Sequence, residues 1–283
     1  SALSASIDGE FKFVSYNGGE EGCLEVSIDA VILINDGQHR KAAIEQALQE
    51  DPTLEEETIS IVFFKDQGLK RSQQMFTDLN KHAVKTSNSL STLYDYRDLL
   101  AVATKEVINK VPFFRMYTDK ERDILGKNSS KLFTLNNLYR ANQKIVKTDD
   151  IDTKMIEFLI DYWNLIANNI IEWNEVMQKE LTKKELRENY IVTLAVTLNA
   201  FGKLGRYFYE NPKVNMSETL SKLKKIDWLR SNNENWKYRT IRSNGKVMNT
   251  EQASSLTCSQ IKKLIGISLS KDEMMKETEL KIK

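Results

Sequence analysis

Strand-forming sequence is concentrated between Phe11 and Phe64, and that concentration excludes most of the folds open to a chain of 283 residues. Phe11 and Phe13 alternate with polar neighbours, Tyr16-Asn17-Gly18-Gly19 reads as a turn, and Leu24-Glu25-Val26-Ser27-Ile28 alternates again before the apolar run Ala30-Val31-Ile32-Leu33-Ile34. The period then changes. Residues from about Gln38 to Glu50 read as a helix, Asp51-Pro52 ends it because the residue before proline is pushed out of the α region, and Thr58 to Phe64 is the next strand. Two strands flanking one helix make a βαβ-like or split α+β unit and not a long Rossmann sheet, because the supply of strands stops there.

From Leu69 onward nearly everything reads helical. Met75, Phe76 and Leu79 share one face of a helix from about Arg71 to His82; after the polar linker Lys85-Thr86-Ser87-Asn88-Ser89 a second helix runs from Leu93 to Asn109. Ile156, Leu159, Ile160, Trp163, Ile166, Ile170 and Trp173, spaced by three or four, mark a long amphipathic helix over Met155–Lys179. Tyr190 to Phe208 is another, with Gly202, Gly205 and Pro212 punctuating its end. A short helix between Thr257 and Ser268 is read as C-terminal packing. The expected organisation is α+β: a small α/β head over residues 1–90, then a predominantly helical body over 91–283 with a basic and aromatic C-terminal segment.

A net charge of +1 neither announces nor excludes a nucleic-acid binder, since phosphate contacts need a local cluster of cations and not a high total. Cys23 and Cys258 belong to no CxxC or Cys/His cluster, which argues against a disulfide framework and a structural zinc site and for a reducing compartment. Apolar runs such as Leu99-Leu100-Ala101-Val102-Ala103 are too short to span a bilayer, so the chain reads as cytoplasmic and free of membrane. It starts at Ser1 without methionine, which suggests that an N-terminal portion has been removed.

Between the apolar run and the first helix stands Asn35-Asp36-Gly37-Gln38-His39-Arg40. A helix start gathers unpaired N–H groups and positive dipole, so a glycine turn with an arginine in the first helical turn suits phosphate. Asp36 could hold a Mg²⁺ that bridges phosphates, or be a turn and cap residue. Arg40 is the strongest phosphate ligand, because a guanidinium fork matches phosphate geometry. Gln38 and His39, at the exposed helix start, could touch phosphate, base or sugar.

This stretch resembles a known family. Asp36-Gly37-Gln38-His39-Arg40 is the namesake of the DGQHR domain, and the spacing of Gly37, Arg40 and Ala43 is similar to the G-x-x-R-x-x-A phosphate motif of the ParB/sulfiredoxin-like fold. A second block, Ile61-Val62-Phe63-Phe64 followed by Arg71 to Ala83, looks like the region downstream of DGQHR in the DNA sulfur modification family DndB. The resemblance implies a ParB-like head in a bacterial DNA-binding transcriptional regulator of the phosphorothioation genes, not the sulfur-transferring enzyme, with double-stranded operator DNA and other DNA sulfur modification proteins as partners. It also implies that Arg71 and Asn80, with Gln73 and Lys81, lie near the phosphate turn.

The best local DNA-binding patch is Trp228 to Lys246, where Arg230, Lys237, Arg239, Arg242 and Lys246 face one acid, Glu234, with Trp228, Trp236 and Tyr238 between them. The alternative is a solvated loop whose tryptophans anchor it to the helical body. Lys222, Lys224 and Lys225 extend the patch, and the basic but acid-laced stretch Arg115 to Lys147 ranks second. No Ser/His/Asp arrangement, HExxH or Walker lysine motif is present, so the remaining enzymatic reading is a ParB-like nucleoside triphosphate hydrolase or switch in which Gly37 and Arg40 hold the triphosphate with Mg²⁺. Regulators of palindromic sites are often homodimers, so the operator reading brings that expectation with it.

Overall fold

The computed structural model describes residues 2–65, 71, 74, 75, 77, 78, 87–146 and 151–281. The chain divides into two compact units, Ser1–Thr86 with Tyr94–Tyr96, and Ser87–Leu93 with Arg97–Lys283.

The first unit holds β1 (Leu3–Asp8), β2 (Phe11–Ser15), β3 (Gly22–Val26), β4 (Val31–Asp36), α1 (Gln38–Glu50) and β5 (Ile61–Lys65). Strand β1 lies in the middle of the larger sheet, antiparallel to β4 and parallel to β5, while β2 and β3 form a separate hairpin. Leu3, Ala5 and Ile7 of this middle strand are buried, whereas Val31, Ile32, Val62 and Phe63 on the outer strands remain exposed. Both sheet strands that flank α1 thus pair with β1 and not with each other, giving the split unit. β1 precedes the stretch that carries the strongest alternation, because small serines and Ala5 weaken its period. Strand β3 stops at Val26 and not Ile28, since Ser27 to Ala30 form a turn that leaves Ile28 fully in solvent. Strand β5 begins at Ile61 after a 3-10 turn over Pro52–Glu56, capped by the Asp51 carboxylate at 3.1 Å from the Thr53 N–H. Of the helix expected over Arg71 to His82, Arg71, Gln74, Met75, Thr77 and Asp78 are helical and the other positions lie outside the described residues.

The second unit is helical: α2 (Asn88–Tyr94), α3 (Leu99–Lys110), α4 (Pro112–Tyr117), α5 (Leu135–Ile145), α6 (Thr153–Asn169), α7 (Ile171–Gln178), α8 (Lys183–Asn189), α9 (Ala195–Glu210), α10 (Met216–Ser221), α11 (Asn233–Trp236), α12 (Glu251–Ile265) and α13 (Lys271–Lys281), with two short parallel strands, β6 (Thr118–Asp119) and β7 (Phe133–Thr134). The protein is therefore α+β, a helical body with a small sheet region. Where the linker was expected, Ser89 and Asn88 N–H groups bond to the Asp123 carboxylate at 2.8 and 2.7 Å and start α2.

Aromatic rings fill the centre of this unit. Phe113 stacks on Trp173 at 4.7 Å between centroids, Phe114 meets Trp163 edge-on at 5.3 Å, and Phe133 meets Trp173 at 5.4 Å. Asn142, fully buried, donates to the Thr104 hydroxyl at 2.9 Å and accepts from the Trp163 indole at 2.8 Å, so a polar group inside the core is satisfied on both sides.

Three helix expectations need correction. The helix expected over Leu93 to Asn109 is broken: α2 ends at Tyr94 and α3 starts at Leu99, where the Asp98 carboxylate accepts from the Leu100 N–H at 2.8 Å. Met155–Lys179 is not one helix: the chain turns extended at Ile170, and the Asn174 amide donates to the Ile170 carbonyl at 2.9 Å and the Ala167 carbonyl at 3.3 Å. The adjacent asparagines Asn168 and Asn169 are poor helix formers, which helps the break, while Ile170 and Trp173 are buried on either side of it and keep the apolar spacing intact. Nor do Gly202 and Gly205 end a helix. Both lie inside α9, where it crosses α5 and α6: a Cβ on Gly202 would overlap the Ala141 carbonyl oxygen, and one on Gly205 would press on the Tyr162 ring. Glycine serves close approach here and not termination. The helix itself starts at Ala195, because Tyr190 bridges to Leu229 and the following residues turn.

Candidate functional site

The turn between β4 and α1 is built around Gly37, whose φ of 103° and ψ of 18° are left-handed. A side chain there would be strained by the backbone and would also collide with Leu3, so glycine is required twice over. Asn35 is buried beneath the turn, its amide donating to the Ser6 hydroxyl at 2.5 Å. The Gln38 amide reaches back to the Ile34 carbonyl at 2.9 Å. Arg40 closes the turn from above: one guanidinium nitrogen pairs with Asp36 at 2.9 Å and the other donates to the Ala2 carbonyl at 2.9 Å. Helix α1 starts with no acid in its first turn, and among the described residues no side chain caps its leading N–H groups.

Asp36, Gly37, Gln38, His39 and Arg40 are thus brought together, with Gln38 and His39 exposed and Arg40 about one-third exposed. Arg71 is exposed and helical, and Asn80, Gln73 and Lys81 lie outside the described residues.

In the second unit the segment from Trp228 to Lys246 splits into anchors and cations at the surface, Arg242 and Lys246 exposed and Lys237 half-buried. Trp236 is fully buried, stacked on Trp228 at 5.4 Å with the rings 8° from parallel, and its indole donates to the Asp227 carbonyl at 2.9 Å. Arg239 is buried and pairs with Glu277 of α13 at 2.8 Å. Arg230 donates to the carbonyls of Tyr190 at 3.1 Å and Arg187 at 2.6 Å. These three side chains hold the segment onto the helices. Lys237, Arg242 and Lys246 do not: Arg242 and Lys246 stand on a tight turn closed by the Arg242 N–H to Lys246 carbonyl bond at 2.8 Å, with Gly245 left-handed at φ 76°. Lys237 sits 5.3 Å from the ring centre of Tyr238, which is exposed. Among the described residues none of these three cations meets a carboxylate. Glu277, the partner that takes Arg239 out of solvent, is thirty-eight residues away in the chain, and its role has no local sequence signal.

One carboxyl group of this unit titrates near neutrality. Burial, together with the nearby Glu175 and Asp227 carboxylates, pushes Glu172 from its ordinary 4.5 up to about 7, and among the described residues its buried Oε2 has no hydrogen-bond partner. A carboxyl whose folded pKa is raised binds its proton more tightly in the folded state. Its stabilising contribution is therefore full below pH 4.5 and is lost as pH rises through about 7. Discounting for the solvent that still reaches it, the loss is about 1–2 kcal/mol. Glu172→Gln should flatten the fall of stability between mildly acidic and mildly alkaline pH, measured by urea unfolding across that range, and should leave the acid-side stability nearly unchanged.

Among the described residues no cluster of His, Cys, Asp and Glu could hold a metal ion, and no helix is long and apolar enough to cross a membrane. The architecture is that of an α+β protein whose small sheet unit carries a glycine turn and whose helical body carries an anchored cationic turn. The profile of a family described as DndB, DNA-sulfur modification-associated, matches residues 1–268, from the start of the sheet unit to just past α12. The chain belongs to the DndB family and is thereby involved in DNA sulfur modification. No curated protein matches it, and no solved structure does.

Proposed function

We propose that this protein is a DNA-binding transcriptional regulator of a bacterial phosphorothioation system, acting in the cytoplasm on operator DNA of the modification genes, as a homodimer and alongside other sulfur modification proteins. The observation that carries the reading is the anchored turn bearing Arg242 and Lys246 beside Lys237, in a chain of a DNA-sulfur modification family. Unpaired cations held rigidly at the surface neutralise phosphates without first breaking an internal ion pair, and the exposed Tyr238 adds a ring that can lie against sugar or base. In this reading Arg230, Trp236 and Arg239 support the surface and do not touch DNA.

A gel-shift series on promoter fragments of the modification genes tests this. Changing Lys237, Arg242 and Lys246 together to alanine should weaken binding at least roughly tenfold and reduce the salt slope by about 3, one phosphate contact for each lost cation. Unchanged affinity and unchanged slope at every salt concentration would defeat the proposed surface.

A second reading is favoured by the start of α1, which has no side-chain cap among the described residues: a ParB-like switch in which Gly37, Gln38 and His39 present N–H groups to a nucleoside triphosphate carried with Mg²⁺, Arg40 and Asp36 shaping the turn. His39→Glu would place a carboxylate at that helix start. Nucleotide binding and turnover that survive this change would remove the turn from consideration.

A further inference from the structure

Well away in sequence from the cationic turn, the helical unit carries an open cleft of about 680 Å³ between the end of α4, the loop 126–130, the end of α7 and the start of α8. Lys127, Lys179, Lys183, Lys184 and Arg187 line it, and among the described residues no carboxylate does. Its floor is apolar, made by Tyr117, Val176 and Leu181, with Tyr117 and Val176 buried.

Five cations converging from three chain segments repel one another, and none of them meets a carboxylate among the described residues. Glu185, the acid nearest in sequence to the lysine pair, folds back instead onto the Thr182 N–H at 3.1 Å and the Thr182 hydroxyl at 2.6 Å. Arg187 donates to the Gly126 carbonyl at 2.9 Å and so fixes the loop that brings Lys127 to the rim. Lys183 holds its ammonium 5.8 Å from the Tyr117 ring centre, at the border between rim and floor. Lys179 stands in a left-handed conformation, φ 67°, where a side chain carries a backbone cost that glycine would not. A volume of this size, an apolar floor and a cationic rim suit a ligand that joins a phosphate to a ring-bearing body.

We propose that this cleft is a nucleotide-binding site, with the phosphate on the rim of Lys127, Lys179 and Lys184 and the base against the floor of Tyr117, Val176 and Leu181. A free nucleotide and one unit of a single strand share this chemistry, and the probes separate the two sources.

The test uses the full chain with ATP, a short single-stranded oligodeoxynucleotide and inorganic phosphate, each titrated into the wild type and the double variant Lys179→Ala/Lys184→Ala. Protection of the lysines from amine acylation is read by mass spectrometry in the same samples. The expected result is that ATP or the oligonucleotide shields Lys127, Lys179 and Lys184, and that the double variant binds it roughly tenfold or more weakly with an unchanged melting temperature. Protection by ATP identifies an effector pocket, and protection by the oligonucleotide alone identifies a strand-binding groove. If neither shields these lysines, or if the double variant binds both as the wild type does, the proposal is overturned.

Discussion

Gly202→Ala should destabilise the helical unit by about 1–3 kcal/mol, although alanine in the interior of a helix is ordinarily the better residue by roughly 1 kcal/mol. The sign is decided by what the new methyl group meets. At Gly202 it would overlap the carbonyl oxygen of Ala141 on α5, and backbone cannot move aside without separating the two helices. Separation would propagate to the next residue on α5, because Asn142 carries the paired hydrogen bonds from Trp163 and to Thr104. Gly205→Ala provides the comparison: its methyl group would meet the side chains of Tyr162 and Ile145, which can give by rotation, so its cost should be smaller. Urea unfolding followed by circular dichroism ranks the two. A Gly202→Ala protein as stable as the wild type would contradict the close crossing of α5 and α9.

Trp236→Ala should cost about 3–5 kcal/mol, a large part of the 5–15 kcal/mol that typically separates folded from unfolded domains. The indole is fully buried, lies flat on Trp228, and Trp228 in turn meets Phe201 edge-on at 5.7 Å, so its removal opens a cavity beside the main core and strands the Asp227 carbonyl. Thermal unfolding should show a markedly lower midpoint. The milder variant Trp236→Phe separates two accounts of the segment from Trp228 to Lys246. If Trp236 stacks on bases, Trp236→Phe loses DNA affinity at temperatures where it remains folded; if it is an anchor, Trp236→Phe binds DNA as the wild type does, and only Lys237, Arg242 and Lys246 alter affinity without altering stability.

The start and end of α1 were legible because their signals are local: Gly37 before it and Asp51-Pro52 after it act within a few residues. The DndB resemblance was carried by contiguous residues for the same reason, and the family match extends it over residues 1–268. The break at Ile170 was not legible, since buried Ile170 and Trp173 keep helical spacing across it. Nor was the sorting of the basic segment. In one dimension Arg239 and Arg242 are equivalent cations three residues apart; only Glu277, arriving on α13, turns one into a buried strut.

By itself, then, the sequence determined the division into a small sheet region and a helical body, the glycine turn at Gly37 and the family to which the chain belongs, because periodicity, turn chemistry and motif are properties of neighbouring residues. The tertiary structure alone decided which strand lies in the middle of the sheet, why Gly202 and Gly205 stand inside a helix, which cations of the basic segment face solvent, and that Lys127 and Lys184 line one cleft. Each of these depends on a partner distant in the chain: a backbone carbonyl, a carboxylate or a second cation, whose arrival is fixed by packing and leaves no mark on the residues nearby.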